Sequence, residues 1–205
     1  MKNKKTLHLA LLAIFTALEL IFCFTPLGSI PLGPGIVATL AHIPALIAAI
    51  LLGWKAGIFL GAVMGISSLI VWTFMPPNPV TAFAFTPFTP VGQAEGNWMS
   101  LVICIVPRVL FPVVAALIYA VMQKRNINKV PSAIVASVCA TLLHTVLVLG
   151  LIYLTFHAQP TVGQNLVTFI IAWAGVNALI ELVSAGLVSG VLVKPLSYAL
   201  NRTAI

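Results

Sequence analysis

Six apolar stretches of this chain approach the length a helix needs to cross a lipid bilayer, near residues 7–25, 36–52, 56–74, 98–122, 131–155 and 166–193. A crossing helix takes about 20 mostly apolar residues, because the hydrocarbon core is about 30 Å thick and each residue adds about 1.5 Å. The predicted fold is therefore all-α, a single domain over 1–205 built as an integral membrane bundle of six transmembrane helices. Composition agrees, since a chain that is 61% hydrophobic and 6% charged cannot be mostly the surface of a soluble domain. The opening MKNKKTLHLALLAIFTALELIFCF has the basic head of a signal peptide, but its apolar body is too long and no small-x-small cleavage site follows. It reads as a retained first span.

The formal net charge of +7 raises the possibility of a nucleic-acid surface. Its distribution argues otherwise. Lys2, Lys4, Lys5, Lys55, Lys124, Arg125, Lys129, Lys194 and Arg202 all fall in tails or connections on the side that holds the N-terminus in a six-span reading. The opposite side has no lysine or arginine in its loops. By the positive-inside rule both termini are expected in the cytoplasm, in a multi-pass membrane protein. Arg108 is the one basic residue left over.

Arg108 stands in VICIVPRVLFPVV, an apolar run with a proline on each side. Counted from Trp98 it is about 15 Å along the axis, near mid-bilayer. An arginine there costs about 2.5 to 3.5 kcal/mol on insertion scales, so the fold or a ligand must supply a partner. Ser100, Cys104 and Arg108 share one face of the fourth span; Ser137, Thr141, His144 and Thr145 share one of the fifth; Trp173, Asn177, Glu181 and Ser184 share one of the sixth. His42 sits in the second span. Taken singly, a histidine here is a satisfied core residue and Glu181 a structural neutraliser of Arg108. Taken together, three polar faces around a buried cation describe a ligand pocket.

Two connections on the outer side, TPLGSIPLGPG (25–35) and MPPNPVTAFAFTPFTPVGQAEGN (75–97), are rich in proline, glycine, threonine and phenylalanine. Loops of that length and composition read as lids over an outward-facing cavity. In the first span Ala10, Ala13 and Ala17 make a smooth stripe, nearly opposite Thr16, Glu19 and Cys23. Small residues four apart let helices approach closely, and alone the stripe is consistent with packing inside this protein. Gly57, Gly61 and Gly65 make a second such ridge in the third span, expected to pack internally.

The chain lacks the GxxxxGK[ST] phosphate loop, HExxH and GxSxG, and its halves show no repeat. Its three cysteines, Cys23, Cys104 and Cys139, form no metal-ligand spacing. Neither enzymatic activity, a cofactor nor a bound metal is expected. What remains is a membrane binding protein energised by something else.

At this point the sequence resembles the substrate-binding S components of energy-coupling factor (ECF) vitamin transporters. The resemblance covers essentially the whole chain and rests on the six short spans, on Ala13-I-F-T-Ala17, and on LGPGIVATLAHIPALIAAILLGWKAGIFLGAVMGISSLI over residues 32–70. It implies a high-affinity vitamin-binding subunit without ATPase activity, whose small-residue face (Ala10, Ala13, Ala17) docks on a transmembrane T component carrying two ATP-binding subunits. It also implies a pocket that opens outward, built by later spans and closed by outer loops. Among the substrate branches the chain is most similar to the pantothenate-specific one. Pantothenate is an anion with hydroxyls and an amide, and a guanidinium grips a carboxylate with two parallel hydrogen bonds in a low-dielectric site. Arg108 is then the anion anchor, with Gln93, Asn97, His144 and Asn177 as candidate partners for hydroxyls and amide and Glu181 as the residue holding Arg108 between substrates.

Three other readings stay open on the sequence. A neutral heterocycle such as a pyrimidine would stack on Trp72, Trp98 or Trp173. A stand-alone proton-coupled permease would use Glu19, His144 and Glu181 as a relay. An assembly protein would bind no small molecule.

Overall fold

The computed structural model describes residues 2–33, 36–88, 96–159, 162–163, 165–173 and 175–203. Its helices are α1 (Lys2–Phe24), α2 (Ile43–Leu52), α3 (Trp54–Phe74), α4 (Met99–Lys124), α5 (Lys129–Phe156), α6 (Leu166–Trp173) and α7 (Gly175–Thr203). Two short 3-10 turns, Pro26–Gly28 and Pro79–Ala84, lie in the connections after α1 and α3. Between α1 and α2 the strands β1 (Ser29–Gly33) and β2 (Ile36–Thr39) pair antiparallel, Ser29 opposite Thr39 and Gly33 opposite Ile36. The base of this hairpin is closed by the Leu40 N–H donating to the Gly28 carbonyl at 2.9 Å.

Among the described residues, five helices are long and apolar enough to cross a membrane, over Lys5–Phe24, Trp54–Phe74, Met99–Lys124, Lys129–Phe156 and Gly175–Leu200. The apolar run expected as a span at 36–52 is helical only over the ten residues of α2, about 15 Å and half a crossing. Residues 36–39 are drawn into the hairpin ladder instead, and Pro44 in the first turn suits a helix start at Ile43. Every residue from Ile43 to Ile50 is buried. The hydropathy of α2 thus marks a core helix wrapped by protein. The run expected at 166–193 is likewise two helices, with Gly175 at a φ of +35° opening α7.

α4 lies at the centre, packed on α3 on one side and α5 on the other, with α5 in turn against α7. The glycine ridge of α3 is what lets α4 approach. A β-carbon on Gly57 would meet the Pro112 backbone at 3.2 Å, one on Gly65 the Ile105 Cα at 3.2 Å, and one on Gly61 would collide with the Arg108 carbonyl. α5 is tied to α7 by the Ser137 hydroxyl donating to Ser189 Oγ at 2.7 Å, both buried. One apolar cluster gathers around α2, with Phe15, Leu46, Leu60 and Phe111. A second, with Phe83, Ile103, Ile152, Phe156 and Phe169, sits beneath the connection between α3 and α4.

Candidate ligand-binding site

The site is organised by a helix that cannot satisfy its own backbone. Pro107 and Pro112 both lie inside α4, and proline has no N–H to give the carbonyl four residues earlier. Pro112 therefore leaves the Arg108 carbonyl without its helical partner, on the side where Gly61 presses against it. The Arg108 side chain turns back along α4 and donates from Nη1 to the Cys104 carbonyl at 2.6 Å. Arg108 is only 7% exposed, and its Nε has no hydrogen-bond partner among the described residues. On the Nε edge of a guanidinium two N–H groups point the same way, which is the arrangement that receives a carboxylate with two bonds.

The described part of the 75–97 connection folds into the bundle above this arginine. Phe83, Ala84, Phe85 and Thr86 are buried. The Arg108 guanidinium sits 5.4 Å from the centre of the Phe85 ring, and Trp72 stacks on the same ring at 4.6 Å. The segment is pinned by the Thr73 and Thr86 hydroxyls, 2.7 Å apart, and by the Ser100 hydroxyl donating to the Phe83 carbonyl at 2.8 Å. Phe83 also meets Phe156 of α5 edge-on at 5.1 Å. A cation–π contact in so dry a place is worth about 2 kcal/mol, so Phe85 offsets part of the cost of burying Arg108. Trp72, a candidate for stacking a heterocycle, already gives a face to Phe85.

α5 brings His144 to the same region. Its ring lies edge-on to Phe111 at 5.1 Å, and Phe111 meets His42 at 6.4 Å. His144 is within electrostatic reach of Arg108 and His42, and its Nε2 is buried without a hydrogen-bond partner among the described residues. One turn earlier Thr141 Oγ1 is in the same condition.

The remaining sequence candidates are placed as follows. Asn97 is exposed, and its Oδ1 accepts from the Met99 N–H at 2.8 Å, capping the start of α4. Asn177 and Glu181 stand one turn apart on α7, both half-buried. Trp173 ends α6 while Asn177 belongs to α7, so the single face expected to join them is broken at Gly175. Gln93, and the side chain of Trp173, lie outside the described residues. Phe85 and Thr141 were not singled out as ligands by their positions in the sequence; the first needed the loop to fold inward, and the second shares a helical face with His144 that gave the only hint.

On α1 the expected division of faces is present. Phe15 and Glu19 are buried, whereas Ala10, Ala13 and Ala17 are exposed and make no internal seam. Glu19 is fully buried. Its carboxyl group lies at the Ala45 backbone N–H, with Oε1 accepting from Cys23 Sγ at 3.7 Å and Oε2 without a partner among the described residues. Ala45 is in the first turn of α2, where backbone N–H groups have no helical acceptor. His42 at the N-cap provides no side-chain bond there. Glu19 thus caps α2 from a neighbouring helix, with the helix dipole in its favour.

Residues 7–193 match the family described as the substrate-specific component of ECF transporters. The chain is 32% identical over 205 residues to the pantothenic acid transporter PanT of Lactococcus lactis subsp. cremoris, covering 99% of this chain and 100% of that protein. It is 38% identical over 95 residues to the pantothenate transporter PanT of Leuconostoc mesenteroides subsp. mesenteroides, 40% of this chain and 47% of that one. In fold it is similar to the solved structure of ThiT from Listeria monocytogenes, with a TM-score of 0.59, 18% identity, and coverage of 97% of this chain and 98% of the other. A multi-pass arrangement of apolar helices, a buried polar site under an inward-folded loop, and a family match over almost the whole length agree: the chain belongs to the substrate-specific components of ECF transporters.

Proposed function

We propose that this protein binds pantothenate at the outer face of a bacterial plasma membrane and delivers it to an ATP-driven ECF importer. The observation that carries the reading is Arg108, a buried guanidinium whose Nε has no hydrogen-bond partner among the described residues. A carboxylate supplies the missing countercharge. The names of the two bacterial relatives point to the same anion. His144 then addresses the amide of the ligand, and Phe85 closes over Arg108 as part of a lid that includes the inward-folded segment from Phe83 to Thr86. The additional sequence candidates Gln93, Asn97, Trp173, Asn177 and Glu181 remain proposals for the rest of the pocket.

The protein acts without chemistry of its own, as a binding subunit. Ala10, Ala13 and Ala17 form the surface that docks on a T component, which carries two ATP-binding subunits. Support for this comes from their exposure: a small-residue stripe turned away from its own bundle offers close approach to another helix. Both termini, with the lysines and arginines of the tails and short connections, are assigned to the cytoplasm.

The test is uptake of pantothenate by cells that lack their own transporter, carrying this chain with or without the T component and ATPases. Uptake that needs all of them, and survives dissipation of the proton gradient, is expected. Uptake that persists without the ATPases and disappears with the gradient would instead establish a stand-alone permease.

A further inference from the structure

Threonine hydroxyls inside helices ordinarily return to the carbonyl four residues back. Thr16, Thr73 and Thr145 all do so here, donating to the Leu12, Leu69 and Thr141 carbonyls at 2.7, 2.7 and 3.1 Å. Thr141 does not. It is 2% exposed, and its Oγ1 has no partner among the described residues. A buried hydroxyl that forgoes the bond available in its own helix pays desolvation for nothing unless some other group completes it.

The surroundings of Thr141 point to what that group is. Three residues on, and so on the same face of α5, His144 Nε2 is also buried and unpartnered. His144 is in electrostatic reach of Arg108 on the adjoining helix, whose Nε is the third such atom. The other buried hydroxyls of these two helices are engaged: Ser100 with the Phe83 carbonyl, Ser132 with the Asn128 carbonyl, and Ser137 with Ser189. On α4 and α5 the buried side-chain atoms left without a partner among the described residues are therefore these three, on Arg108, Thr141 and His144.

We infer that Thr141 is a specificity-determining residue of this site, its hydroxyl pairing with a hydroxyl of the same ligand whose carboxylate Arg108 holds. The inference rests on the pantothenate reading and deepens it. Arg108 alone would accept any small carboxylic acid. Thr141 restricts the site to hydroxylated ones, because an acid without the hydroxyl leaves a buried polar group unpaired, and sites built to bond a hydroxyl reject analogues that lack it.

The experiment titrates the full-length protein, purified in detergent, with pantothenate and with the analogue that lacks both hydroxyls. Thr141→Val removes the hydroxyl at nearly constant volume, and Thr141→Ser restores it. Thr141→Val is expected to weaken pantothenate about tenfold, the worth of one neutral hydrogen bond, while changing affinity for the dehydroxylated analogue less than about twofold. Thr141→Ser is expected to stay near wild type with both. An equal loss for the two ligands assigns Thr141 to packing and overturns the inference, as does unchanged affinity for pantothenate in Thr141→Val. Wild-type protein that fails to bind pantothenate overturns the proposed function itself, and this inference with it.

Discussion

Gly61 on α3 lies directly against the backbone carbonyl of Arg108 on α4, so closely that a β-carbon at residue 61 would collide with it. The same carbonyl is the one Pro112 deprives of its helical donor. The anion anchor of the proposed site is therefore positioned by a glycine on a different helix. Gly61→Ala forces α3 and α4 apart at the level of Arg108, and overpacking of this kind costs about 1–3 kcal/mol. We predict a lower unfolding temperature together with weaker ligand binding. A variant with unaltered stability and affinity would show that the close approach at Gly61 is dispensable.

The guanidinium of Arg108 has a separate test. Arg108→Ala removes the charge and the fork, and bonds from a charged group are worth about 1.5–3 kcal/mol each, so affinity for pantothenate should fall at least about a hundredfold. Arg108→Lys keeps the charge without the planar fork and should recover only part of the loss. Calorimetric titration of both variants reads this directly. Wild-type affinity in Arg108→Ala would remove the residue from the pocket.

Glu19 is predicted to matter for folding. Its carboxylate caps the Ala45 N–H at the start of α2, and a buried donor left without an acceptor costs about 1–3 kcal/mol. Glu19→Leu should therefore lower thermal stability clearly more than Glu19→Gln, which keeps an acceptor oxygen. The ranking of the two unfolding temperatures is the measurement; equal values would show that capping is not the contribution Glu19 makes.

Much of this architecture was legible in the sequence, and the gaps have physical causes. Long apolar runs found α1, α3, α4 and α5, because lipid demands a length that composition reports. The same logic overstated α2: residues 36–52 are apolar throughout, and a run does not reveal whether lipid or protein surrounds it, nor that a hairpin claims its first residues. The break at Gly175 was hidden in similar fashion within a continuous apolar stretch. The glycine ridge packs internally as its spacing suggested. The alanine stripe of α1, chemically alike, turns outward, and only the burial of Phe15 and Glu19 on the other face decides between the two. At the site, Arg108 and His144 were visible as polar residues where few are expected. That Thr141 Oγ1 has no partner among the described residues, and that Phe85 covers Arg108, depend on contacts between distant segments.

The outward alanine stripe gives the fourth prediction. Ala13→Trp or Ala17→Trp places a bulky ring on a surface that faces away from the bundle, so the isolated protein should fold and bind its ligand as before. Uptake in cells with the T component and both ATPases should be lost. Normal uptake would show that this face is not the coupling surface.

The central claim is that Arg108 holds a carboxylate, and that the carboxylate belongs to pantothenate. Calorimetric titration of the purified wild-type protein, freed of ligand, with pantothenate and then with panthenol, its uncharged alcohol analogue, tests it most directly. Tight binding of the acid is expected, with a loss of at least about a hundredfold for the alcohol. Equal affinity for the two, or no binding of the acid, would contradict it.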